Sequence, residues 1–324
     1  MKMSKIFAAA TFLLTASATA HSTETINVRY SWKLKGEYAA FYVAKEEGLF
    51  HKQGLEVSLG EGAGAPAALA GLLQGNEDVV VLPAAFALTA ISKGMPIKII
   101  ALYHPKTPLG IMSFPDKAVR KPSDLEGKSF IVAPGDTIAT YLPAFCKVNN
   151  VDCEKIKKVS VGIEARNSQF LSRNVDVIGT YLNVDGPLLE QQAKQPLVTL
   201  SLADNGLVLP GLSIVTSDAK IGNEAGKLAK FLSVVSQGIS IMKEKPAVAA
   251  DELTKNWAAP PSKDVVEKQV VETGHAIPQI AGKPYGWVDP ELLQHAVELL
   301  KSVGEIPEVK PLDTYYTNKL LAAQ

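Results

Sequence analysis

Apolar and polar residues alternate at Ile26, Val28 and Tyr30, which is the period of a half-buried strand. Residues 37–47 then carry apolar groups at helical spacing, and Gly48 follows as a helix stop. The cycle repeats. Residues 56–59 predict a second strand, and a helix with Pro66 in its first turn runs to Gly75. "DVVVL" at 78–82 predicts a near-continuous apolar strand, "AAFALTAISKG" a helix with its glycine stop, and "IKIIAL" another strand. Apolar strands linked by helices through short turns predict an α/β fold with a parallel sheet covered by helices.

The alternation pauses twice. "YHPKTPLGIMSFP" (103–115) holds three prolines, and "NGLVLPG" (205–211) is the second break. Between them lies a second α/β unit: a capping box of Ser123 and Glu126, then strands at 129–133, 157–161, 175–180 and 197–202 with helices between. Beyond 211 come one strand, "LSIVT", and mostly helix, at 223–244, 261–273 and 290–303. Two units joined at two pauses predict a two-lobed clamshell with two hinge crossings. Residues 21–108 plus 212–324 make a discontinuous first lobe, and 109–211 the second. Ligands of such sheets bind outside the carboxyl ends of the strands, which here face the cleft.

Charge and composition narrow the function. Lys+Arg 33 balance Asp+Glu 33, so there is no basic field for nucleic acid. The five histidines, His21, His51, His104, His275 and His295, show no metal-ligand spacing, and no Gly-x-Ser-x-Gly turn occurs. No catalytic or metal-binding residue is therefore assigned, and a non-enzyme is expected. Lys2 and Lys5 precede an apolar run from Ile6 to Leu14, and Ala18-Thr19-Ala20 gives a small-x-small cleavage pattern. These predict a signal peptide over 1–20, a mature start near His21 and a periplasmic location. An oxidising compartment permits a bridge between Cys146 and Cys153; two unbridged small residues are the alternative.

Candidate chemistry gathers at the predicted strand ends. Trp32 closes the first strand, and Glu37 and Tyr38 open its helix. An aromatic plate beside a carboxylate suits a flat ring with N–H donors. The alternative is that Trp32 and Phe41 are core and Glu37 only favours the helix dipole. "GEGAGAP" (60–66) puts glycines where a backbone can approach a ligand, though its spacing and Glu61 fit neither a dinucleotide fingerprint nor a P-loop. In "APGDTIATY" (133–141), Gly135, Thr137 and free helix-start N–H groups can meet a polar ligand edge, with Asp136 as N-cap. Arg166 and Arg173 flank a short helix and read as solvated; an acidic ligand would need one of them.

"EYAAFYVAKEEGLF", "GLEVSLGEGAGAP", "ALAGLLQGNEDVVV", "DLEGKSFIV", "NVDVIGTYLNVD" and "KLAKFLSVVSQGISIMKEKPAVAADEL", in this order, resemble periplasmic substrate-binding proteins of ABC importers. The likeness is to the branch that includes thiamine-pyrimidine-precursor, riboflavin, and sulfonate or taurine binders. It implies that Trp32, Glu37, Tyr38 and Phe41 form one wall of the cleft, joined by Glu61, Gly62, Gly64 and Ala84. Gly135, Thr137, Tyr181, Asn183 and Asp185 would form the other. Asn183 and Asp185 match an Asn-x-acid pattern of the pyrimidine and flavin binders. The resemblance further implies a monomeric receptor without cofactor. It would capture a small planar molecule, pyrimidine-like or otherwise aromatic, and deliver it to a membrane permease and its ATPase. A binder of a sulfonate or aromatic carboxylate is the alternative, followed by a sensory domain or an enzyme. Thiamine-pyrimidine synthases share this fold, but they carry a cysteine-rich iron motif that Cys146 and Cys153 do not resemble. Leu34, Gly36 and Ala40 depart from the pyrimidine binders, which leaves the ligand open.

Overall fold

The computed structural model describes residues 23–322, so the predicted signal peptide lies outside the described residues. Among the described residues, ten strands form two sheets. The strands are β1 (Glu24–Tyr30), β2 (Leu55–Gly60), β3 (Val79–Pro83), β4 (Ile97–Leu102), β5 (Leu109–Ser113), β6 (Ser129–Val132), β7 (Lys157–Ser160), β8 (Val177–Tyr181), β9 (Val198–Ser201) and β10 (Leu212–Ser217). The first lobe is built on the order β2-β1-β3-β10-β4 and the second on β7-β6-β8-β5-β9.

The sheets are mixed, which corrects the expectation of a parallel sheet. β1 runs parallel to β2 and β3, and β6 parallel to β7 and β8. β10 is antiparallel to both its neighbours, and so is β5. These two strands are the first that the chain lays down after each passage between sheets. No crossover helix precedes them to restore direction. Their continuous apolar runs report burial on both faces and carry no information on direction. β5 also lies inside the stretch read as a pause, because Pro105 and Pro108 fall before it and Pro115 after it.

The two passages, 103–108 and 202–211, lie side by side. Tyr103 N–H bonds the Leu212 carbonyl at 2.8 Å, Thr107 N–H the Leu209 carbonyl at 2.7 Å and Gly211 N–H the His104 carbonyl at 2.7 Å. One apolar core fills the first lobe around Tyr30, Phe41, Phe231 and Ile239. A second is continuous from the helix Ala84–Ser92 to the helices Thr137–Val148 and Pro290–Val303, so the lobes share buried packing.

Two local readings need revision or resolution. Ser123 and Glu126 do not form a capping box: Pro122 opens a 3-10 turn in which Asp124 accepts from the Arg120 and Lys121 N–H groups at 3.0 and 3.2 Å. Glu126 instead accepts from Asp152 N–H at 3.1 Å and from Lys155 at 2.9 Å. Cys146 and Cys153 are bridged, with Cα atoms 5.7 Å apart. The bridge ties the helix Thr137–Val148 to the turn that leads into β7. Among the described residues, no helix is long and apolar enough to cross a membrane.

Candidate functional site

Between the two sheets lies a cavity bordered by Trp32, Lys35, Glu37, Asp136, Arg166 and Asp185, with Ser31, Thr137, Thr180 and Tyr181 completing its polar lining. Topology places them. The carboxyl ends of β1, β3 and β8 and the turn after β6 open here. Because β5 and β10 are antiparallel, their first residues, Leu109 and Leu212, reach the same edge.

Five charged groups meet in this space, and four are paired. Lys35 Nζ from the first lobe lies 2.6 Å from Asp185 Oδ1 in the second. Arg166 Nη2 lies 2.9 Å from Asp136 Oδ2 and donates to the Gly179 carbonyl at 2.6 Å. Asp185 also accepts from the Thr180 hydroxyl and from Tyr181 N–H. Asp136 caps the helix Thr137–Val148 by accepting from Ile138 N–H at 3.2 Å. Ion pairs buried this deeply add little net stability, but they hold side chains in fixed places.

Their protonation follows from these partners. Burial would raise the Asp185 carboxyl, but Lys35, Thr180 and Arg166 together hold it below its ordinary value. Burial raises Asp136, and Arg166 only partly opposes this. Burial also raises Glu37, against the pull of Lys35 and of the Tyr38 hydroxyl, while the Asp185 charge adds to the rise. Glu37 is the cavity carboxyl that has no cation of its own. Tyr181 donates to the Thr137 hydroxyl at 3.3 Å, and Lys35 sits 5.8 Å from the centre of its ring.

The cavity volume is about 40 Å³.

Of the residues assigned to the cleft from the sequence, Trp32, Glu37, Gly135, Thr137, Tyr181 and Asp185 line the cavity. The others do not. Tyr38 is fully buried and stacks on Tyr30 with ring centres 4.0 Å apart, so it reaches the cavity only through Glu37. Phe41 packs in the first-lobe core against Tyr30 and Phe231, on the inward face of its helix. Glu61 turns back and accepts from Leu34 N–H at 2.7 Å, which closes the loop after β1. Gly62 is needed for close backbone approach, but to the protein itself: a Cβ there would lie 2.0 Å from the Tyr30 carbonyl oxygen. Gly64, at φ 116°, faces Gly135 across the cleft, where a Cβ would stand 3.3 Å from the Gly135 Cα. Ala84 is buried, and its N–H holds the Gly211 carbonyl at 2.6 Å, so it anchors a passage between lobes. Asn183 points away from the cavity and donates to the Thr273 hydroxyl at 3.4 Å.

Arg166 corrects the opposite way: read as solvated, it is buried and paired. It shares a helical face with Phe170, four residues on and also buried, and that spacing was the available signal. Arg173 does face solvent, bonded to Asp116 at 2.8 and 2.9 Å. Lys35 was missed although it lies within the stretch that carries Trp32 and Glu37. Only the fold brings Asp185 to it.

Two lobes, each a five-stranded mixed sheet, around an enclosed polar cavity define the fold of the periplasmic binding proteins. The fold matches the periplasmic aliphatic sulphonate binding protein SsuA of Escherichia coli with a TM-score of 0.70, at 14% identity over 91% of this chain and 92% of that one. It matches the periplasmic nitrate-binding protein NrtA of Synechocystis PCC 6803 equally, with a TM-score of 0.70 at 13% identity over 93% and 88% of the two chains. The chain belongs to the NMT1/THI5 like family, whose profile matches residues 35–249. A formylaminopyrimidine-binding protein of Halalkalibacterium halodurans is 24% identical over 236 residues, 72% of this chain and 71% of the relative.

Proposed function

We propose that this protein is the extracytoplasmic solute-binding receptor of an ABC importer, and that it takes a small planar ring bearing amino groups, of the pyrimidine type. The observation that carries the ligand class is the charge arrangement of the cavity. Lys35 and Arg166 already have carboxylate partners at 2.6 and 2.9 Å, whereas Glu37 has none. A sulfonate, nitrate or aromatic acid would need a free cation, and would meet three acidic side chains. A ring with N–H donors instead meets an acceptor at Glu37 and aromatic faces at Trp32 and Tyr181. The formylaminopyrimidine-binding relative supports the same class. The fold supports a partner permease with its ATPase, and the charged start followed by a short apolar run supports export.

Calorimetry on the folded protein tests this reading. A formylaminopyrimidine is expected to bind and an alkanesulfonate not to bind. Losing the Trp32 indole removes stacking and leaves space that the cleft cannot close, so Trp32→Ala is expected to bind at least about tenfold more weakly. Trp287→Phe, in the partly buried edge of the first-lobe core, is expected to bind as wild type does. Sulfonate binding, or unchanged affinity in Trp32→Ala, would reject the assignment.

A further inference from the structure

Gln269 is buried on the helix Lys263–Ala276, whose Val266 and Val270 sit in the first-lobe core. Its side-chain carbonyl accepts from Gly36 N–H at 3.0 Å. Its side-chain N–H donates to the Val184 carbonyl at 2.6 Å. Gly36 stands between Lys35 and Glu37, and Val184 immediately precedes Asp185. One neutral side chain thus joins the two loops, one from each lobe, that carry three of the five charged groups of the cavity. The fit is close: a Cβ on residue 36 would lie 2.4 Å from the Gln269 Cβ, so glycine is required where the loop meets the helix. One turn along the same face, Thr273 accepts from Asn183 of the second lobe.

An amide is the group that this place demands. Gly36 N–H can only donate and the Val184 carbonyl can only accept, so the joining group must offer one acceptor and one donor. A carboxylate offers acceptors alone, and a thioether offers neither in useful strength. The Gly36 bond fixes Gln269 to its own lobe, and the Val184 bond exists only when the lobes are together, because Val184 belongs to the second lobe.

We propose that Gln269 is a positioning residue for ligand capture: by bonding both cavity loops at once it stabilises the closed arrangement and sets how long a ligand stays in the cleft. The proposal rests on the binding role given above, but one arm of its test needs no ligand. Gln269→Met keeps the volume and removes both bonds. In ligand-free protein, small-angle scattering is expected to show a larger radius of gyration for this variant than for wild type. With formylaminopyrimidine as probe, stopped-flow displacement is expected to show dissociation about tenfold faster, the effect of leaving a buried carbonyl unpaired, with little change in association.

Gln269→Glu supplies a readout that mere packing would not move. Ionised, it faces the Val184 carbonyl with an acceptor; protonated, it restores the donor. Its binding is expected to be weak near pH 8 and to recover as pH falls and the buried carboxyl takes up a proton. Lys35, Glu37 and Asp185 flank the joined loops, and Lys268 and Glu272 lie near it on its own helix, so the profile is read as variant against wild type. Should the Met variant fail to fold, the Glu variant carries the test. Ligand-free size and dissociation rate equal to wild type, or a Glu profile parallel to wild type, would overturn the proposal. If wild type ignores the pyrimidine, the ligand assignment falls, and the scattering comparison still decides the role of Gln269.

Discussion

Glu37 is the residue where stability and capture pull apart. Burial raises its carboxyl above the ordinary range. Over the interval from the unfolded value to the raised folded value, the folded chain holds a proton that the unfolded chain has released. Stability therefore falls as pH rises through that interval. Glu37→Gln has no charge to bury. It is expected to melt at a higher temperature than wild type near pH 8, with the difference vanishing below about pH 4, where both forms are neutral. The same variant is expected to bind a formylaminopyrimidine more weakly, since an amide is a poorer acceptor for N–H donors. Thermal melts across pH, paired with calorimetry, check both; equal melting near pH 8 would show that Glu37 is solvated. What the sequence disclosed at this scale was uneven. Trp32, Glu37 and Thr137 stand at junctions between strand and helix, and junctions are legible from periodicity. Arg166 and Lys35 were not legible as site residues, because a charged side chain looks solvated until its partner is known. Those partners, Asp136 and Asp185, come from distant stretches of the chain. Phe41 erred in the other direction: proximity to a junction does not say which face of the helix looks inward.

At the scale of elements, hydrophobic period found nearly every strand and helix. The helix predicted at 290–303 is Pro290–Val303, because both ends are signalled: Asp289 accepts from Glu291 N–H at 2.9 Å, and Gly304 takes the left-handed conformation at φ 88°. Strand direction was beyond reach, since alternation and apolar runs are the same read forward or backward. Pairing of the cysteines was also open, and folding settled it by bringing the two Cα atoms within bridging distance. The bridge closes a loop with a sequence separation of 7. In the chain-entropy account, so short a loop contributes about 2.5 kcal/mol. The double variant Cys146→Ala, Cys153→Ala is therefore expected to lose about 2–3 kcal/mol in chemical denaturation, and a reductant to weaken wild type toward it. A variant as stable as wild type would mean that the helix Thr137–Val148 needs no tether.

At the scale of the whole molecule, two hydrogen-bonded passages connect the lobes, and we propose that closure bends there. The Lys35–Asp185 pair, the Gly64–Gly135 contact and the Gln269–Val184 bond cross the cleft, so each must break when the lobes part. Saturating ligand is expected to reduce the radius of gyration in solution scattering. An unchanged radius, with binding confirmed by calorimetry, would contradict bending at the passages. The two-lobed outline was legible from the sequence because Pro- and Gly-containing breaks interrupt the α/β rhythm at two points. The contacts that cross the cleft were not, because they join segments as far apart as Val184 and Gln269.

The position of β10 governs the order in which the chain can be assembled. It lies between β3 and β4 in the first sheet, yet it is supplied by residues 212–217, after every strand of the second sheet. The second lobe draws its five strands from one uninterrupted run and can complete its hydrogen bonding locally. The first lobe begins earlier and must wait, with the facing edges of β3 and β4 unpaired, until a closing strand arrives from beyond the inserted lobe. A chain delivered from its amino end thus presents an unfinished sheet for much of its emergence. The lobe that comes first in the sequence is the one that depends on the other.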